Sequence, residues 1–150
     1  MSADRDSAAD SATVSIRRRF DCSFADLWVA VTVPDSISAW FTPCRVGPDG
    51  RYSLRFTEKS GESYVKYATV LGCGRLGSAG EYRFLLHDEG YRDSTVEVRA
   101  GADGEAGSGL ELRHLHPPPP LIDGYARGWA DYLDALERHL AATGRARSRA

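Results

Sequence analysis

The feature that most constrains the fold is one long amphipathic pattern near the C-terminus. Its large apolar residues recur three and four positions apart, which is the spacing of one face of an α-helix. They are Leu121, Ile122, Tyr125, Trp129, Tyr132, Leu133, Leu136 and Leu140. The pattern predicts a helix of roughly 20 residues, about 30 Å long. Because its apolar face must be buried, the rest of the chain has to supply a matching surface.

Strands are the elements predicted to supply that surface. Residues 14–20 alternate between apolar and polar side chains, which is the pattern of a strand with one buried face. Five more segments of this kind follow residue 50, separated by turn sequences rich in Gly, Asp and Ser. The second of them, residues 64–71, has an ambiguous register. Since short turns join antiparallel neighbours, the pattern predicts an antiparallel meander.

Two short helices are predicted between the first strand and the meander. Ser23 lies three residues before Asp26, which is the spacing of a helix N-terminal cap, and an apolar helical pattern follows. Pro34 is expected to end this helix, Asp35 to cap a second one, and Pro43 to end that one.

These elements together predict an α+β domain with a curved, six- to seven-stranded antiparallel sheet wrapped around the long C-terminal helix. A chain of 150 residues has room for one such domain. We place it at residues 12–142, between a disordered tail at 1–11 and a basic disordered tail at 143–150.

The composition excludes several classes of protein. With 42% apolar residues and a net charge of −2, the chain can build a core and has no strong attraction for nucleic acid. No apolar run approaches the roughly 20 residues of a membrane span, and the N-terminus is acidic where a signal peptide would be basic. We therefore expect a soluble cytoplasmic protein without a membrane partner. Cys22, Cys44 and Cys73 lack CxxC spacing and are expected to be free thiols.

Several segments resemble a known family. In residues 20–43, a predicted strand ends in Phe-Asp, a helix carries a Leu-Trp pair and a second helix ends in Trp-Phe. The residues concerned are Phe20, Asp21, Leu27, Trp28, Pro34, Trp40, Phe41 and Pro43. This stretch resembles heat shock protein 90 ATPase activator homologue-like domains, which belong to the SRPBCC, or START-like, superfamily. Further similar segments are residues 50–56, 93–98, 110–114 and 128–136, in the same order. The resemblance covers about residues 13–141 and implies the helix-grip fold.

The resemblance also implies a set of functions. Members of this superfamily include lipid carriers, ligand sensors, polyketide cyclases and the co-chaperone domain, and they commonly enclose a cavity between sheet and C-terminal helix. In the co-chaperone, a further domain precedes the similar region, and this sequence has no room for it. We therefore do not expect a chaperone partner. Fold resemblance alone does not assign a function, which depends on the residues of the site.

Aromatic residues are the main candidates for a ligand-binding wall. Flat apolar rings with a few hydroxyl and indole groups are typical of a small-molecule pocket, although an ordinary core has the same composition. The predicted ligand-binding residues are Trp40, Tyr52, Phe56, Phe84, His114, Tyr125 and Trp129.

His114 has several interpretations because it is in phase with Leu110 and Leu112 on the inward face of its strand. It could bind a ligand, act as a general base, or be a structural histidine bonded to a backbone carbonyl. With His116 it could approach a metal, but the same face offers no third ligand, so no metal site is predicted. Arg18 also lies on an apolar face. We expect it to pair with a helix acid such as Asp131 or Asp134.

The leading hypothesis is a protein that binds a hydrophobic or aromatic small molecule and has no catalytic residues. No nucleotide, phosphate or hydrolase motif is present, and no cofactor is predicted. One alternative is a cyclase or dehydratase acting on a polyketide-like or carbonyl substrate, with His114 as acid and base. A second is a chaperone-linked interaction domain. A homodimer is compatible with each of these three hypotheses.

Overall fold

The computed structural model describes residues 13–149, with side chains through residue 144, so the predicted tail at 1–11 lies outside the described residues. Seven strands and three α-helices follow one another along the chain. In order they are β1 (Val14–Phe20), α1 (Phe24–Thr32), α2 (Pro34–Trp40), β2 (Cys44–Val46), β3 (Tyr52–Thr57), β4 (Ser63–Leu76), β5 (Ala79–His87), β6 (Ser94–Asp103), β7 (Gly107–Leu115) and α3 (Ile122–Arg149).

The strands form one antiparallel sheet in the order β1-β7-β6-β5-β4-β3-β2. All neighbours are consecutive in the chain except β1 and β7, where Val14 lies opposite His114. The first strand therefore closes against the last, and the helices α1 and α2 form the connection from β1 to the far edge. This arrangement confirms the predicted α+β architecture. The additional strand β2 has only three residues, too few to show a period of two.

The connection between α1 and α2 differs from the prediction in one detail. Ser23 accepts a hydrogen bond from the backbone N–H of Asp26 at 3.1 Å, as the capping pattern indicated. The second helix, however, starts at Pro34 and has Val33 as its N-terminal cap, with no side-chain cap. Proline fits the first helical position because its fixed φ is helical and that position needs no N–H. Asp35 therefore lies inside the helix and does not cap it.

The core lies between the concave face of the sheet and the helices. Leu27 of α1, Val96 of β6 and Leu136 of α3 are completely buried. Helix α1 approaches β5 so closely that a Cβ at Gly80 would lie 2.5 Å from the Trp28 ring. Glycine at this strand position thus allows the helix to pack directly on the sheet.

Helix α3 is longer than predicted. It has 28 residues and runs to Arg149, past the expected end of the domain at residue 142. The helix thus reaches residues 143–149, where a disordered tail was predicted, and the predicted domain bounds stay a prediction. Ala and Arg occur in this segment and favour helix by intrinsic propensity. Among residues 13–149, no helix has both the length and the apolar character that a bilayer crossing requires.

A register shift within strand β4 explains why its apolar and polar residues do not alternate clearly in the sequence. Its pairing with β5 shifts register between Val70 and Gly72. Even-numbered residues therefore face the concave side before the shift, and odd-numbered residues face that side after it. Before this irregularity, Lys66 and Ala68 point to the concave side, where Ala68 is buried. Lys66, a charged residue, thus lies on the inner face of the sheet, in the part of β4 before the irregularity.

Candidate functional site

A cleft opens between the first turns of α3 and strands β3, β4 and β5. Its volume is about 470 Å³. Most of its walls are aromatic or aliphatic, and charged groups occur at a few points only. The lining residues are Phe41, Leu54, Phe56, Tyr64, Lys66, Phe84, Leu86, Pro120, Leu121, Asp123, Gly124, Tyr125, Arg127, Gly128, Trp129 and Tyr132.

A second, smaller cavity lies deeper in the core, under the centre of the sheet. Its volume is about 60 Å³, equal to roughly two molecules of liquid water at about 30 Å³ each. The residues that line it on the sheet side include Tyr52, Tyr82 and Leu112. Burial first, and then the neighbouring Tyr52, raise the pKa of Tyr82, so its hydroxyl stays protonated. This inner cavity is too small for an organic ligand in this conformation.

Four side chains separate the cleft from the inner cavity, because Phe41, Leu54, Phe84 and Trp129 line both. The Phe41 ring stacks on the Trp129 ring at 5.6 Å between centroids and meets the Tyr132 ring edge-on at 4.5 Å. Phe41 directly follows α2, so the short helices after β1 supply the residue that closes the floor of the cleft.

The helix side of the cleft is open because two glycines lie there. Gly124 and Gly128 are four residues apart and therefore share one face of α3. A Cβ at either position would meet no atom within 4 Å. Each glycine costs the helix roughly 1 kcal/mol relative to alanine. The two glycines thus leave this space open and make the helix less stable than alanines would.

A buried polar cluster, which we call the Lys66 cluster, consists of Lys66, Asp88 and Tyr125. Lys66 Nζ lies 2.8 Å from Asp88 Oδ1 and donates a hydrogen bond to the Tyr125 hydroxyl at 2.9 Å. The Tyr125 hydroxyl donates to Asp88 Oδ2 at 2.6 Å. Burial and this bond to Asp88 raise the pKa of Tyr125, so the phenol remains protonated. Lys66 and Tyr125 face the cleft, whereas Asp88 lies behind them with a side chain only 5% exposed.

His114 lies behind the wall of the cleft and not on its surface. It is completely buried and lines neither cavity. Its Nδ1 accepts the indole N–H of Trp129 at 3.1 Å, so Nε2 carries the proton and donates to Ser94 Oγ at 2.7 Å. The ring also contacts Tyr125 edge-on, with 4.4 Å between centroids.

The surroundings of His114 make it a poor acid or base. Burial lowers the pKa of His114 to about 4, with a further lowering effect of Lys66 and an opposing effect of Asp88. The imidazole is therefore neutral at pH 7, and both nitrogens are occupied. It is a structural histidine as one interpretation held, but its partners are side chains where a backbone carbonyl was expected. Its geometry indicates that it fixes the orientations of Trp129 and Tyr125.

The predicted wall residues divide between the two cavities. Phe56 and Tyr125 line the cleft alone, and Phe84 and Trp129 line both spaces. Trp40 and Tyr52 line only the inner cavity. Trp40 also donates its indole N–H to the carbonyl of Ala30 at 2.8 Å, which joins α2 to α1.

Sequence reasoning missed several residues of the cleft, namely Phe41, Tyr64, Lys66, Tyr132 and the two glycines Gly124 and Gly128. Tyr132 carried a usable signal, because it belongs to the apolar face of the C-terminal pattern. Lys66 carried a weaker one, since it is one of only two lysines and interrupts a strand. Asp88 carried none, because it lies in a turn sequence where an aspartate is ordinary.

The Arg18 side chain pairs with α3, as expected, and lies away from the cleft. Its Nη1 lies 2.6 Å from Asp134 Oδ1, both side chains are partly exposed, and Arg18 lines neither the cleft nor the inner cavity. We expect Arg18→Ala to lower the free energy of unfolding by at most about 1 kcal/mol, because solvent screens the pair. Urea denaturation measures this change. A loss of ligand binding without a loss of stability would contradict this role.

The thiols and the acidic residues do not assemble a metal site among the residues that the structure describes. The three cysteines are free, as predicted. Cys44 is the buried one and lines the inner cavity, where burial raises the pKa of its thiol to about 11. It is therefore protonated and unreactive at neutral pH.

Comparison with known proteins relates this architecture to solved structures. No protein-family model and no curated protein sequence matches the chain. The crystal structure of CalU16 from Micromonospora echinospora is 26% identical, with a TM-score of 0.68 over 83% of this chain and 71% of that one. In the solution structure of CalU16 the TM-score is 0.69, and the match spans 85% of this chain and 65% of that one.

A START superfamily protein from Mycobacterium smegmatis matches over nearly its whole length. Its TM-score is 0.69 at 16% identity, over 87% of this chain and 98% of that one. The narrower resemblance to heat shock protein 90 ATPase activator homologues stays a prediction. The fold of the chain is therefore similar to that of CalU16 and to that of a START superfamily protein, as the resemblance to the SRPBCC/START-like superfamily implied.

Proposed function

We propose that this protein binds a hydrophobic, aromatic small molecule in the cleft between α3 and strands β3 to β5. The observation that carries the proposal is the cleft itself, with a volume of about 470 Å³ and mainly aromatic and aliphatic walls. Ligand pockets typically measure about 300 to 1,000 Å³ and combine apolar walls with a few polar groups. This cleft has both the size and the composition of such a pocket.

The aromatic rings are arranged to hold a flat molecule. Phe56 and Tyr64 stack at 5.6 Å with 22° between their planes, which makes one broad wall from neighbouring strands. Tyr125 and Trp129, one turn apart on α3, are stacked at 6.5 Å with 19° between planes. Offset stacking against either pair would stabilise an aromatic ligand beyond the burial of its apolar surface.

The cleft also offers a route for entry. Tyr64 at its rim is 41% exposed. Asp123 and Arg127, on the first turns of α3, are exposed and lie at the opposite rim. A ligand can therefore enter between the start of α3 and the β3–β4 hairpin without unfolding an element.

Binding without catalysis is the function we favour. The cyclase or dehydratase alternative depended on His114, whose nitrogens are both bonded inside the wall and whose pKa is about 4. A general acid or base must reach the proton that it transfers, and His114 does not line the cleft. The chaperone-linked alternative, the homodimer and the cytoplasmic location stay predictions.

The test is a titration with N-phenylnaphthylamine, a neutral aromatic probe whose fluorescence rises in apolar surroundings. We expect saturable binding of one molecule per chain, with a dissociation constant on the order of 10 µM for a ligand of this size. Native mass spectrometry of the protein purified from its source would independently detect a bound small molecule that is lost on unfolding. No saturable signal from the folded protein, together with an empty mass spectrum, would rule the proposal out.

A further inference from the structure

We propose that the Lys66 cluster is a subsite that recognises an uncharged acceptor oxygen, such as a ketone or quinone carbonyl, on the aromatic ligand. This inference rests on the proposed function and deepens it, because it assigns the chemical class of the ligand. Three observations support it: the unused donor of Lys66, the neutralised charge of the cluster, and the aromatic rings that surround the ammonium.

The first observation concerns the donors of Lys66. An ammonium group carries three N–H donors. Two of them are used, by Asp88 Oδ1 and by the Tyr125 hydroxyl. Among the described residues, no acceptor takes the third. Lys66 lines the cleft with its side chain 20% exposed, so this donor is available to a ligand. The Tyr125 hydroxyl, in contrast, already donates its hydrogen bond to Asp88.

The second observation concerns charge. Asp88 lies 2.8 Å from Lys66 Nζ and neutralises it. A carboxylate brought to Nζ would lose its hydration and would also meet the negative charge of Asp88, which is buried and therefore poorly screened. A carbonyl oxygen needs only one donor and brings no charge. The cluster therefore favours a neutral acceptor over an anion.

The third observation concerns the rings around the ammonium. Lys66 Nζ lies 4.7 Å from the ring centroid of Tyr125, 5.5 Å from that of Phe56 and 5.9 Å from that of Tyr64. These rings belong to the walls on which a flat ligand would stack. An oxygen attached directly to the ligand's ring system would then reach Nζ without a flexible chain between ring and oxygen.

The subsite is held in position before a ligand arrives. Lys66 is held by two hydrogen bonds. Tyr125 is held by its hydrogen bond to Asp88 and by its edge-on contact with the His114 ring. Such groups lose little conformational freedom when they bind, so more of the hydrogen-bond energy appears as affinity.

The experiment compares two probes of nearly the same shape, fluorene and fluorenone, which differ in a methylene and a carbonyl. We expect fluorenone to bind about tenfold more tightly, which is the order of effect of one hydrogen bond from a charged donor. Calorimetric titration gives both constants. Equal affinities would overturn the inference and leave the proposed function intact. If N-phenylnaphthylamine binds but neither fluorene nor fluorenone does, the inference is overturned, whereas failure of all three probes overturns both.

Lys66→Met tests the donor, because methionine keeps an unbranched apolar stem and removes the ammonium. We expect this variant to bind fluorenone and fluorene with about equal affinity. Measuring both probes on both proteins isolates the contribution of the lost hydrogen bond. Lys59→Met is the matched control. Lys59 is the other lysine of the chain and is exposed in the β3–β4 turn, so the preference should remain about tenfold. A preference that survives in Lys66→Met would overturn the assignment.

Fluorene carboxylate tests the charge argument. We expect it to bind more weakly than fluorenone to the unmodified protein and to gain about tenfold in Asp88→Asn, where the ammonium is no longer neutralised. Tighter binding of the carboxylate than of fluorenone by the unmodified protein would overturn the preference for a neutral ligand. Because Lys66→Met leaves Asp88 without its cation, melting temperatures are recorded for every variant. The probe comparisons on the unmodified protein decide the question if that variant does not fold.

Discussion

Placing leucine at both Gly124 and Gly128 is expected to abolish saturable binding of N-phenylnaphthylamine while the protein remains folded. Both glycines line the cleft, and a Cβ at either would enter open space. The two side chains would therefore extend from open Cβ positions into the volume proposed for the ligand. Since leucine is a better helix former than glycine, the melting temperature should stay the same or rise. Binding and stability would thus change in opposite directions.

Gly144→Leu is the control for this experiment. Gly144 lies on the same helix, outside the cleft, and its Cβ would also meet nothing within 4 Å. It should gain helix stability in the same way and bind the probe like the unmodified protein. Fluorescence titration and thermal unfolding on all three proteins make the comparison. Undiminished binding by the double variant would place the ligand elsewhere and refute the cleft as the site.

The second large effect is a loss of stability in mild acid. Burial lowers the pKa of His114 from 6.5 to about 4. The folded state therefore binds fewer protons than the unfolded state between these values, and the stabilisation is complete above pH 6.5 and lost as the pH falls to about 4. A shift of this size corresponds to about 3 kcal/mol of unfolding free energy. Urea denaturation at closely spaced pH values would measure it.

A substitution at His114 separates this effect from the titration of carboxylates. His114→Gln keeps a side chain that can donate and accept hydrogen bonds but does not titrate, so the loss between pH 6.5 and 4 should nearly disappear. His139→Gln removes a histidine from α3 that is not one of the hydrogen-bond partners of His114, and should leave the loss unchanged. If His114→Gln loses stability over the same interval, the buried imidazole is not its origin.

This acid effect also bears on the ligand site. Protonation of Nδ1 would remove the acceptor of the Trp129 indole N–H. Trp129 separates the cleft from the inner cavity, and Tyr125 lies against the same imidazole. The residue that confers acid sensitivity is therefore also the one that orients two walls of the proposed site.

Local patterns predicted the elements of this fold well because each pattern reflects one buried face. The spacing of Trp129, Leu133 and Leu136 required a buried helix face, and the helix exists with that face inside. The alternation in residues 14–20 likewise became β1. The order of these elements then allowed few arrangements other than a sheet wrapped around a helix. The position of helix ends was harder to predict, since α3 extends beyond residue 142, where the apolar pattern stops.

The candidate site was predictable only in part, since pocket and core use the same residue types. Aromatic content selected Phe56, Tyr125 and Trp129, which line the cleft. Tyr52 and His114 had the same inward phase but lie deeper or behind the wall. Periodicity reports which face of an element is inward. It does not report the distance between two packed layers, and that distance decides whether a side chain fills space or borders it.

The amino-acid sequence by itself determined the fold class, the order of the elements and the apolar faces, because these follow from spacings of two and of three to four residues. Only the tertiary structure decided that Lys66, Asp88 and Tyr125 meet, since they come from β4, the turn after β5 and α3. Only the tertiary structure decided that Gly124 and Gly128 face an open cleft. Contacts between residues distant in the chain depend on register, bulges and packing, which no local pattern encodes.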